Sequence, residues 1–163
     1  MPAPVSVIVD KSGDFDFIKN TIDVLKDFKI EHEVRILSPH RTPARVAEYA
    51  QEARMRGIKV IIAASGGAAH LAGAIAAHTI LPVIGVPVPT KHLYGMDSLL
   101  STVQMPTGIP VATVGIGESG AKNAALLAIE ILALSDKNTA RKIETFRVVL
   151  DEKVARDNKE IGG

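Results

Sequence analysis

The sequence has no cysteine, which excludes disulfide bonds, thiolate nucleophiles and cysteine-bound metals. Aromatic residues make up only 4% of its 163 residues, whereas apolar residues together reach 47%. The core must therefore be built from Ala, Val, Ile and Leu, which suits helices packed closely on a β-branched sheet. Because this length is typical of one domain with its own core, we expect a single domain over residues 1–163.

The sequence also lacks an excess of charge of one sign, since the net charge is +1 and acidic and basic residues are interspersed. Without a basic patch or tail, we expect no nucleic-acid partner. The first residues, "MPAP", lack the charged and apolar segments of a signal peptide. The most apolar stretch, 60–88, is broken by adjacent glycines, two histidines and Pro82, which argues against a membrane span. We therefore expect a cytoplasmic protein with no membrane partner.

Several motifs that bind ligands or metals are missing. There is no GxxxxGK[ST], so the sequence offers no anchor for a nucleoside triphosphate, and no GxSxG or HExxH occurs. His70 and His78 are eight residues apart, which at about 100° per residue places them on different faces of a helix. We predict neither a metal site nor a cofactor. The glycine-rich "GIGESG" at 115–120 fits a ligand contact and a simple turn equally well.

Short β-branched runs alternate along the chain with segments of helical periodicity. Strands are predicted at 5–9, 32–37, 59–63, 81–86 and 109–115. Helices are predicted at 15–28, 42–56, 68–78, 96–103 and 121–134. In the second helix Thr42 is the expected N-cap and Pro43 the first helical residue. Because strands and helices of this length alternate, we predict a parallel sheet covered by helices on both faces.

The segment 136–158 differs from the rest because it is highly charged and yet amphipathic. Its apolar residues form one stripe, namely Ile143, Phe146, Leu150 and Val154. Such a helix packs either on its own domain or on a neighbouring subunit. The helix predicted at 121–134 is apolar nearly all round and needs cover on several sides. Together they favour a homo-oligomer, with a core at 5–134 and an oligomer-packing helix at about 136–158.

Ligands of an open parallel sheet bind beyond the carboxyl ends of its strands. That rule selects the loops at 10–14, 38–42, 64–71 and 87–95. In the second loop, "SPHRTP" places Ser38, His40 and Arg41 between a strand end and a helix N-terminus, where free N–H groups favour an anion. The guanidinium of Arg41 adds a planar donor fork for phosphate or carboxylate. Capping alone does not need these residues together, so we favour a binding role over solvated side chains.

The third loop reads "ASGGAAHLAG" from 64 to 73. Gly66 and Gly67 let the main chain approach a ligand closely, and the N–H groups of Gly67 and Ala68 are expected to point outward near a helix start. His70 is then expected in the first turn of that helix. A lone histidine on an apolar helix is usually structural, but this one shares the strand-end face with His40, so both roles stay open.

These motifs resemble those of a known family. "SPHRTP" is similar to the signature Ser-Ala-His-Arg-Thr-Pro, and "GGAAHLAG" to Gly-Gly-Ala-Ala-His-Leu-Pro-Gly. "LPVIGVPV", "GMDSLLSTVQMPTGIPVATV" and "GAKNAALLAIEIL" follow in the same order. Over roughly residues 5–134 the chain resembles the 5-(carboxyamino)imidazole ribonucleotide mutase family, also called PurE, of purine (IMP) biosynthesis.

The resemblance implies a flavodoxin-like three-layer α/β sandwich with a central parallel sheet, an extra C-terminal helix and assembly into a homo-octamer. It implies an isomerase whose small ribonucleotide substrate becomes 4-carboxy-5-aminoimidazole ribonucleotide. The carboxylate moves from the exocyclic nitrogen to ring carbon four without metal, ATP or biotin. The implied path is decarboxylation in a closed pocket, capture of carbon dioxide by the ring carbon and proton transfer.

The resemblance also implies roles for individual residues. His40 matches the histidine that shuttles the proton, Ser38 and Arg41 match the phosphate-binding loop, and Asp14 matches a residue that binds the ribose hydroxyls. The loop that encloses the imidazole and the carboxylate is matched by Gly66, Gly67, Ala68, His70 and Leu71, with His70 as a second candidate catalytic residue. General chemistry agrees, because imidazole exchanges protons near neutral pH and an enclosed loop keeps carbon dioxide from water.

A second branch of the family takes carbon dioxide directly, as an aminoimidazole ribonucleotide carboxylase. That branch typically has Lys where Arg41 stands and Gly-Arg-Ser-Asn where this chain has "GGAA". At both places the chain follows the mutase branch.

The first loop departs from the family pattern Gly-Ser-x-Ser-Asp, because Asp10 replaces the glycine and Lys11 the first serine, a phosphate contact. One hypothesis is an active mutase, in which Lys11 reaches the phosphate by its charge and Asp10 points away or pairs with Lys11. The alternative is a drifted octameric relative that binds or transforms a different small ribonucleotide, or is inactive. Retention of His40, Arg41, His70 and Asp14 favours the active mutase.

Overall fold

The computed structural model describes residues 3–162, so the predicted features at Met1, Pro2 and Gly163 lie outside the described residues. The chain divides into two compact units, Met1–Ala128 and Ile129–Gly163. The first unit holds the sheet and every loop considered above. The second holds the end of one helix and the C-terminal helix. The expected single domain stays a prediction.

The first unit is built on a five-stranded parallel sheet. Its strands are β1 (Val5–Val9), β2 (His32–Ile36), β3 (Val60–Gly66), β4 (Val83–Val88) and β5 (Ala112–Thr113). The helices of the chain are α1 (Phe15–Asp27), α2 (Pro43–Glu52), α3 (Leu71–Ala76), α4 (Met96–Val103), α5 (Glu118–Ala133) and α6 (Lys137–Glu160). The strand order is β2-β1-β3-β4-β5, which is the flavodoxin-like order, and the predicted fold class is confirmed.

The loops at the strand ends meet because the strands end in register. Val9 of β1 lies level with Ile36 of β2 and with Ala64 of β3. The chain runs from β1 outward to β2 and then returns past β1 to β3, so the order of the strands switches direction at this point. In doubly wound sheets the ligand site lies at such a switch point. The fold therefore brings the loops at 10–14, 38–42 and 66–70 together at the carboxyl ends of the strands.

Helices cover both faces of the sheet. On one face, α2 and α3 pack over Ile8 of β1 and Ile61 of β3 in a continuous apolar core. On the other face α1 lies beside α5, where the hydroxyl of Thr21 donates a hydrogen bond to the main-chain oxygen of Ala121 at 2.8 Å. Since β1 and β3 are buried on both sides, they are mostly apolar along their length, apart from the buried Ser6 and Ser65, and do not alternate.

The two edges of the sheet differ. The edge strand β2 carries Glu33, which accepts hydrogen bonds from Tyr49 and from Arg56. Burial, followed by the hydrogen bond to Glu33, raises the pKa of Tyr49 to about 12, so the phenol keeps its proton and its donor role. At the opposite edge β5 has only two residues. Pro110, which precedes it, has no N–H to donate to a ladder.

Most predicted boundaries are confirmed to within a few residues. The helix predicted at 42–56 ends early, at Glu52, and three further boundaries are wrong. The helix predicted at 68–78 begins at Leu71, because a turn with a left-handed Gly67 (φ 76°) precedes it. The strand predicted at 109–115 shrinks to β5. The loop predicted from Pro87 starts later, since β4 runs to Val88. Proline is tolerated there because β5 pairs only with Ile84 and Gly85, which leaves that side of β4 without a partner strand.

The motif at 115–120 has the Gly-x-Gly-x-x-Gly spacing of dinucleotide loops, which weakens the prediction that the chain binds no cofactor. Its setting is different, however, because it follows the edge strand β5 rather than the first strand of the sheet. A Cβ placed on Gly120 would lie 1.6 Å from the main-chain oxygen of Gly115. The glycines therefore permit a tight turn into α5, and the turn interpretation is favoured.

The second unit is dominated by α6, which confirms the helix predicted at 136–158. Asp136 caps it by accepting hydrogen bonds from the N–H groups of Asn138 and Thr139. Leu150 and Val154 of the predicted stripe are exposed, and Val154 reaches 58%. Within residues 3–162, none of the helices combines the length and the apolar character needed to cross a bilayer.

Candidate active site

A cavity of about 350 Å³ opens at the ends of β1 and β2. Its lining is made of the first and second loops plus the last residue of β2, namely Asp10, Lys11, Ser12, Ile36, Ser38, Arg41 and Thr42. Two cationic side chains and two serine hydroxyls face it, together with one carboxylate. Such a lining suits a small anion with polar substituents, which agrees with the phosphate-binding role predicted for Ser38 and Arg41.

Arg41 is held in place on two sides. Its Nε donates to the hydroxyl oxygen of Ser38 at 3.1 Å, and its Nη2 donates to the main-chain oxygen of Asp10 at 2.8 Å. The same Nη2 lies 3.6 Å from the Asp10 carboxylate. Ser38 is itself fixed, because its main-chain N–H and oxygen both bond to the hydroxyl of Thr42. The expected N-cap Thr42 thus braces the loop and makes no side-chain cap to α2.

Asp14 lies on the inner side of the first loop and is only 4% exposed. The Lys11 ammonium approaches one of its oxygens at 3.8 Å. Burial raises the pKa of the Asp14 carboxyl above its ordinary value, and the Lys11 charge opposes that shift. Among residues 3–162, no group makes a hydrogen bond to the other oxygen, Oδ2. A buried carboxylate oxygen without a donor is costly, so this one is suited to accept from a ligand hydroxyl.

Of the two alternatives predicted for Asp10, pointing away or pairing with Lys11, the pairing with Lys11 is wrong. Asp10 pairs with Arg41, while Lys11 turns to Asp14. The reason is geometric, because Arg41 follows β2 and reaches across to the adjacent end of β1, whereas Lys11 lies one helical turn from Asp14. We call Asp10, Lys11, Asp14, Ser38 and Arg41 the charged loop cluster. Its four charges balance to zero through two separate pairs.

His40 and His70, which we call the histidine pair, meet from different loops. Nε2 of His40 lies 2.7 Å from Nδ1 of His70, and the rings meet edge to face at 73°. One of these two nitrogens must carry a proton and the other must not, so the contact fixes opposite roles on the two rings. Nδ1 of His40 and Nε2 of His70 remain for other partners. Both rings are exposed, and they lie at the carboxyl ends of the strands, as the cavity does.

The third loop differs in two ways from the expectation. His70 precedes α3 as its N-cap residue instead of lying in its first turn. The N–H of Gly67 does not point outward, because it donates to the hydroxyl of Ser98 at 2.9 Å. Ala68 is exposed, whereas the side chain of Leu71 is fully buried in the core. In this loop Ala68 and the His70 ring are the groups best placed to meet a ligand, and Leu71 can contribute only its main chain.

Ser98 and its neighbour Ser101 were missed by the motif analysis. Both lie on α4 and bond to Gly67, Ser98 at the N–H and Ser101 at the carbonyl oxygen. The signal in the sequence is a pair of serines three residues apart, within "DSLLS". That spacing places two hydroxyls on one helix face, which identifies a polar contact without naming its partner.

A larger cavity of about 530 Å³ lies elsewhere. It is formed by the C-terminal ends of α2 and α3, with His78, Met55 and Ile80 among its lining residues. These helix ends lie near the amino ends of the strands, away from the loops described above. None of the predicted site residues lines it, so its greater size does not make it the better candidate.

Sequence comparison places these observations in a family. A sequence model described as AIR carboxylase matches residues 4–153. The chain belongs to the AIR carboxylase family. Within this family it is 56% identical over 142 residues to a Saccharolobus solfataricus protein named N5-carboxyaminoimidazole ribonucleotide mutase, covering 87% of this chain and 89% of the relative. It is 54% identical over 143 residues to the Bacillus subtilis protein of the same name, covering 88% of each.

Solved structures of the AIR carboxylase family agree with the fold. The structure described as Treponema denticola PurE superposes with a TM-score of 0.88 at 29% identity, covering 98% of both chains. A further structure, described as Treponema denticola PurE2-S38D, gives a TM-score of 0.88 at 28% identity and the same coverage. The predicted family resemblance and the flavodoxin-like fold are therefore both confirmed.

Proposed function

We propose that this chain is an N5-carboxyaminoimidazole ribonucleotide mutase, an isomerase of purine biosynthesis. The observation that carries the proposal is its 56% identity, over 87% of its length, to a relative of that name. The alternative, a drifted relative without this activity, had the altered first loop as its support. That support weakens because the two new charges, on Asp10 and Lys11, are each paired within the site.

The histidine pair supplies the proton chemistry. When the bond between the exocyclic nitrogen and the carboxylate carbon breaks, its electron pair stays on nitrogen, which needs a proton. When ring carbon four then bonds to the released carbon dioxide, that carbon must lose its proton. One imidazole serves both steps by giving a proton to nitrogen and later taking one from carbon, so the proton balance closes. Because Nε2 of His40 is engaged by His70, we assign the exchange to Nδ1 of His40.

The charged loop cluster supplies binding. Arg41, Ser38 and Lys11 line the cavity and offer charged or hydroxyl donors to a phosphate. Asp14 offers its unpaired oxygen to the ribose hydroxyls. A nucleotide anchored at both points would extend its base toward the histidine pair, since Arg41 and His40 are neighbours in the chain. The remaining side of the proposed binding site is formed by the third loop, namely Gly66, Gly67, Ala68, His70 and the main chain of Leu71.

We further propose that the protein is a cytoplasmic homo-oligomer, with the octamer as the assembly. The support is the apolar stripe of α6, of which Leu150 and Val154 are exposed. Apolar residues repeated along an exposed helix are typical of a surface that another chain covers. Light scattering on the eluate of a sizing column gives the mass directly. A monomer of 17.3 kDa would contradict the assembly without bearing on the chemistry.

The test of function is direct. Purified protein is mixed with N5-carboxyaminoimidazole ribonucleotide, and the absorbance of the carbon-carboxylated product is followed. We expect a rate well above the spontaneous background. A rate equal to background would reject the mutase, and a thermal shift with aminoimidazole ribonucleotide in that case would favour a binding protein.

A further inference from the structure

The turn formed by Gly66 and Gly67 rests on a buried hydroxyl of α4. Ser98 is fully buried, at 0% exposure. Its oxygen accepts the Gly67 N–H at 2.9 Å, while its own proton goes to the main-chain oxygen of Val88 at 2.7 Å. One side chain thus ties the end of β3 to the end of β4. Both partners are main-chain groups, so the link does not depend on any other side chain.

A second hydroxyl holds the other side of the same residue. The hydroxyl of Ser101 lies 3.2 Å from the main-chain oxygen of Gly67 and 2.6 Å from that of Asp97, one turn earlier in α4. Asp97 is itself held, because its carboxylate accepts a hydrogen bond from Thr90 at 2.8 Å. Because the single Ser101 proton is shared with the nearer Asp97 oxygen, Ser101 gives Gly67 a weaker contact, and Ser98 provides the shorter and better-buried link to α4.

The bonds fix a conformation that the chain would not hold by itself. Gly67 has a φ of 76°, and within residues 3–162 no atom beyond its chain neighbours lies within 4 Å of the position its Cβ would occupy. The turn is thus not wedged in place by packing on that side, and its orientation depends on hydrogen bonds. Three residues later His70 makes its 2.7 Å contact with His40. A movement of Gly67 would be passed along this short segment to the histidine pair.

We propose that Ser98, supported by Ser101, is a positioning residue that keeps the Gly66–Gly67 turn closed over the carboxylate in transit. The inference rests on the proposed function. Carbon dioxide released from nitrogen must stay beside ring carbon four until the new bond forms. A turn that loosens lets water in and carbon dioxide out, so retention of the carboxylate is the property that Ser98 protects.

The experiment uses substrate labelled with carbon-13 in its carboxylate, in buffer containing unlabelled bicarbonate. Mass spectrometry then gives the fraction of product that keeps the label. For the wild type we expect nearly complete retention. For Ser98→Ala the Gly67 N–H and the Val88 oxygen lose their buried partner, so we expect about tenfold lower kcat, little change in KM and clear loss of label. Ser101→Ala should lose less label, because its contact is longer.

Thr102→Val is the matched control. Thr102 is also buried on α4, and its hydroxyl donates to the main-chain oxygen of Ser98 at 2.7 Å, within the helix. Its loss should lower the melting temperature while leaving label retention at the wild-type value. Ser98→Thr, which keeps the hydroxyl, should recover part of the retention. This pattern separates a positioning role from a general loss of stability.

The outcomes are distinct. Wild-type protein that forms no product would reject the proposed function, and this inference with it. Wild-type turnover together with full label retention in Ser98→Ala and Ser101→Ala would reject this inference alone. Equal loss of label in Thr102→Val would also reject it, since the effect would then follow from weaker packing of α4.

Discussion

The histidine pair and the charged loop cluster both lie at the carboxyl ends of the strands but are built differently. The two histidines are exposed and joined to each other by one contact. The charged loop cluster is joined by ion pairs and hydrogen bonds, and two of its members, Asp14 and Ser38, are buried. The first arrangement suits groups that must exchange protons with a ligand, whereas the second suits groups that must hold one. Substitutions in the histidine pair and in the charged loop cluster should therefore affect different kinetic constants.

The largest effect is expected from His40→Asn. Loss of the group that exchanges protons should lower kcat by at least about 100-fold, while KM changes little because the charged loop cluster is intact. Steady-state kinetics measure both constants. His78→Asn, which changes a histidine in the larger cavity, should leave kcat unchanged. If His40→Asn raised KM and kept kcat, the division between the histidine pair and the charged loop cluster would be lost.

Arg41→Ala should act in the opposite way. Removing the charged donor to the phosphate should raise KM by about 10- to 100-fold, with a smaller fall in kcat. Arg45→Ala, which removes an exposed arginine four residues along in α2, is the control and should leave KM unchanged. A fall in kcat without a rise in KM would place Arg41 in the chemistry instead of in binding.

Asp14→Asn should weaken binding yet stabilise the empty protein. The loss of a charged acceptor for the ribose should raise KM by about tenfold. Burial raises the pKa of Asp14 in the folded state, so the folded protein binds this proton more tightly than the unfolded chain. The wild type therefore loses stability as pH rises from below the ordinary value of 3.8 through the raised pKa, and the loss persists at pH 7.

The measurement is urea unfolding at pH 4 and pH 7 without ligand. The free energy of unfolding of Asp14→Asn relative to the wild type should be higher at pH 7 than at pH 4. A variant less stable than the wild type at pH 7 would mean that the attraction to Lys11 outweighs burial, contrary to the direction given for this carboxyl.

The smallest effect is expected from Asp10→Asn. Asp10 competes with the phosphate for Arg41, and its carboxylate would lie near the phosphate charge. Removing that charge should lower KM by about threefold, since partly exposed charge pairs contribute little. Asp16→Asn, which removes an exposed carboxylate paired with Lys19, should change nothing. A rise in KM would show that Asp10 orients Arg41 more than it competes for it.

The sequence was sufficient for the fold because the strands and helices are separated by clear turn signals. The helix at 96–103 and the strand at 5–9 have the predicted bounds. Failures occurred where tertiary pairing decides the outcome. The two-residue length of β5 depends on its pairing with Ile84 and Gly85 of β4. The late start of α3 depends on the hydrogen bonds that hold Gly67.

The site was predicted in outline but not in its connections. Motif order identified His40, Arg41 and Asp14, because each lies at a strand end or begins a helix. It could not show which cation pairs with which carboxylate, since that choice depends on the lateral distance between β1 and β2. Nor could it show that Ser98 reaches Gly67 from 31 residues away.

The shapes of the sheet edges bear on how the protein behaves when concentrated. A long, flat and apolar edge would recruit strands from other copies and lead to aggregates. Here the edge strand β5 is only two residues long, and the edge strand β2 carries Glu33, whose carboxylate is bonded to Tyr49 and Arg56. Neither offers a good template for extending the sheet from one copy to the next. The homo-oligomer proposed above would therefore assemble through helical surfaces, where a closed assembly of fixed size can form instead of a fibre.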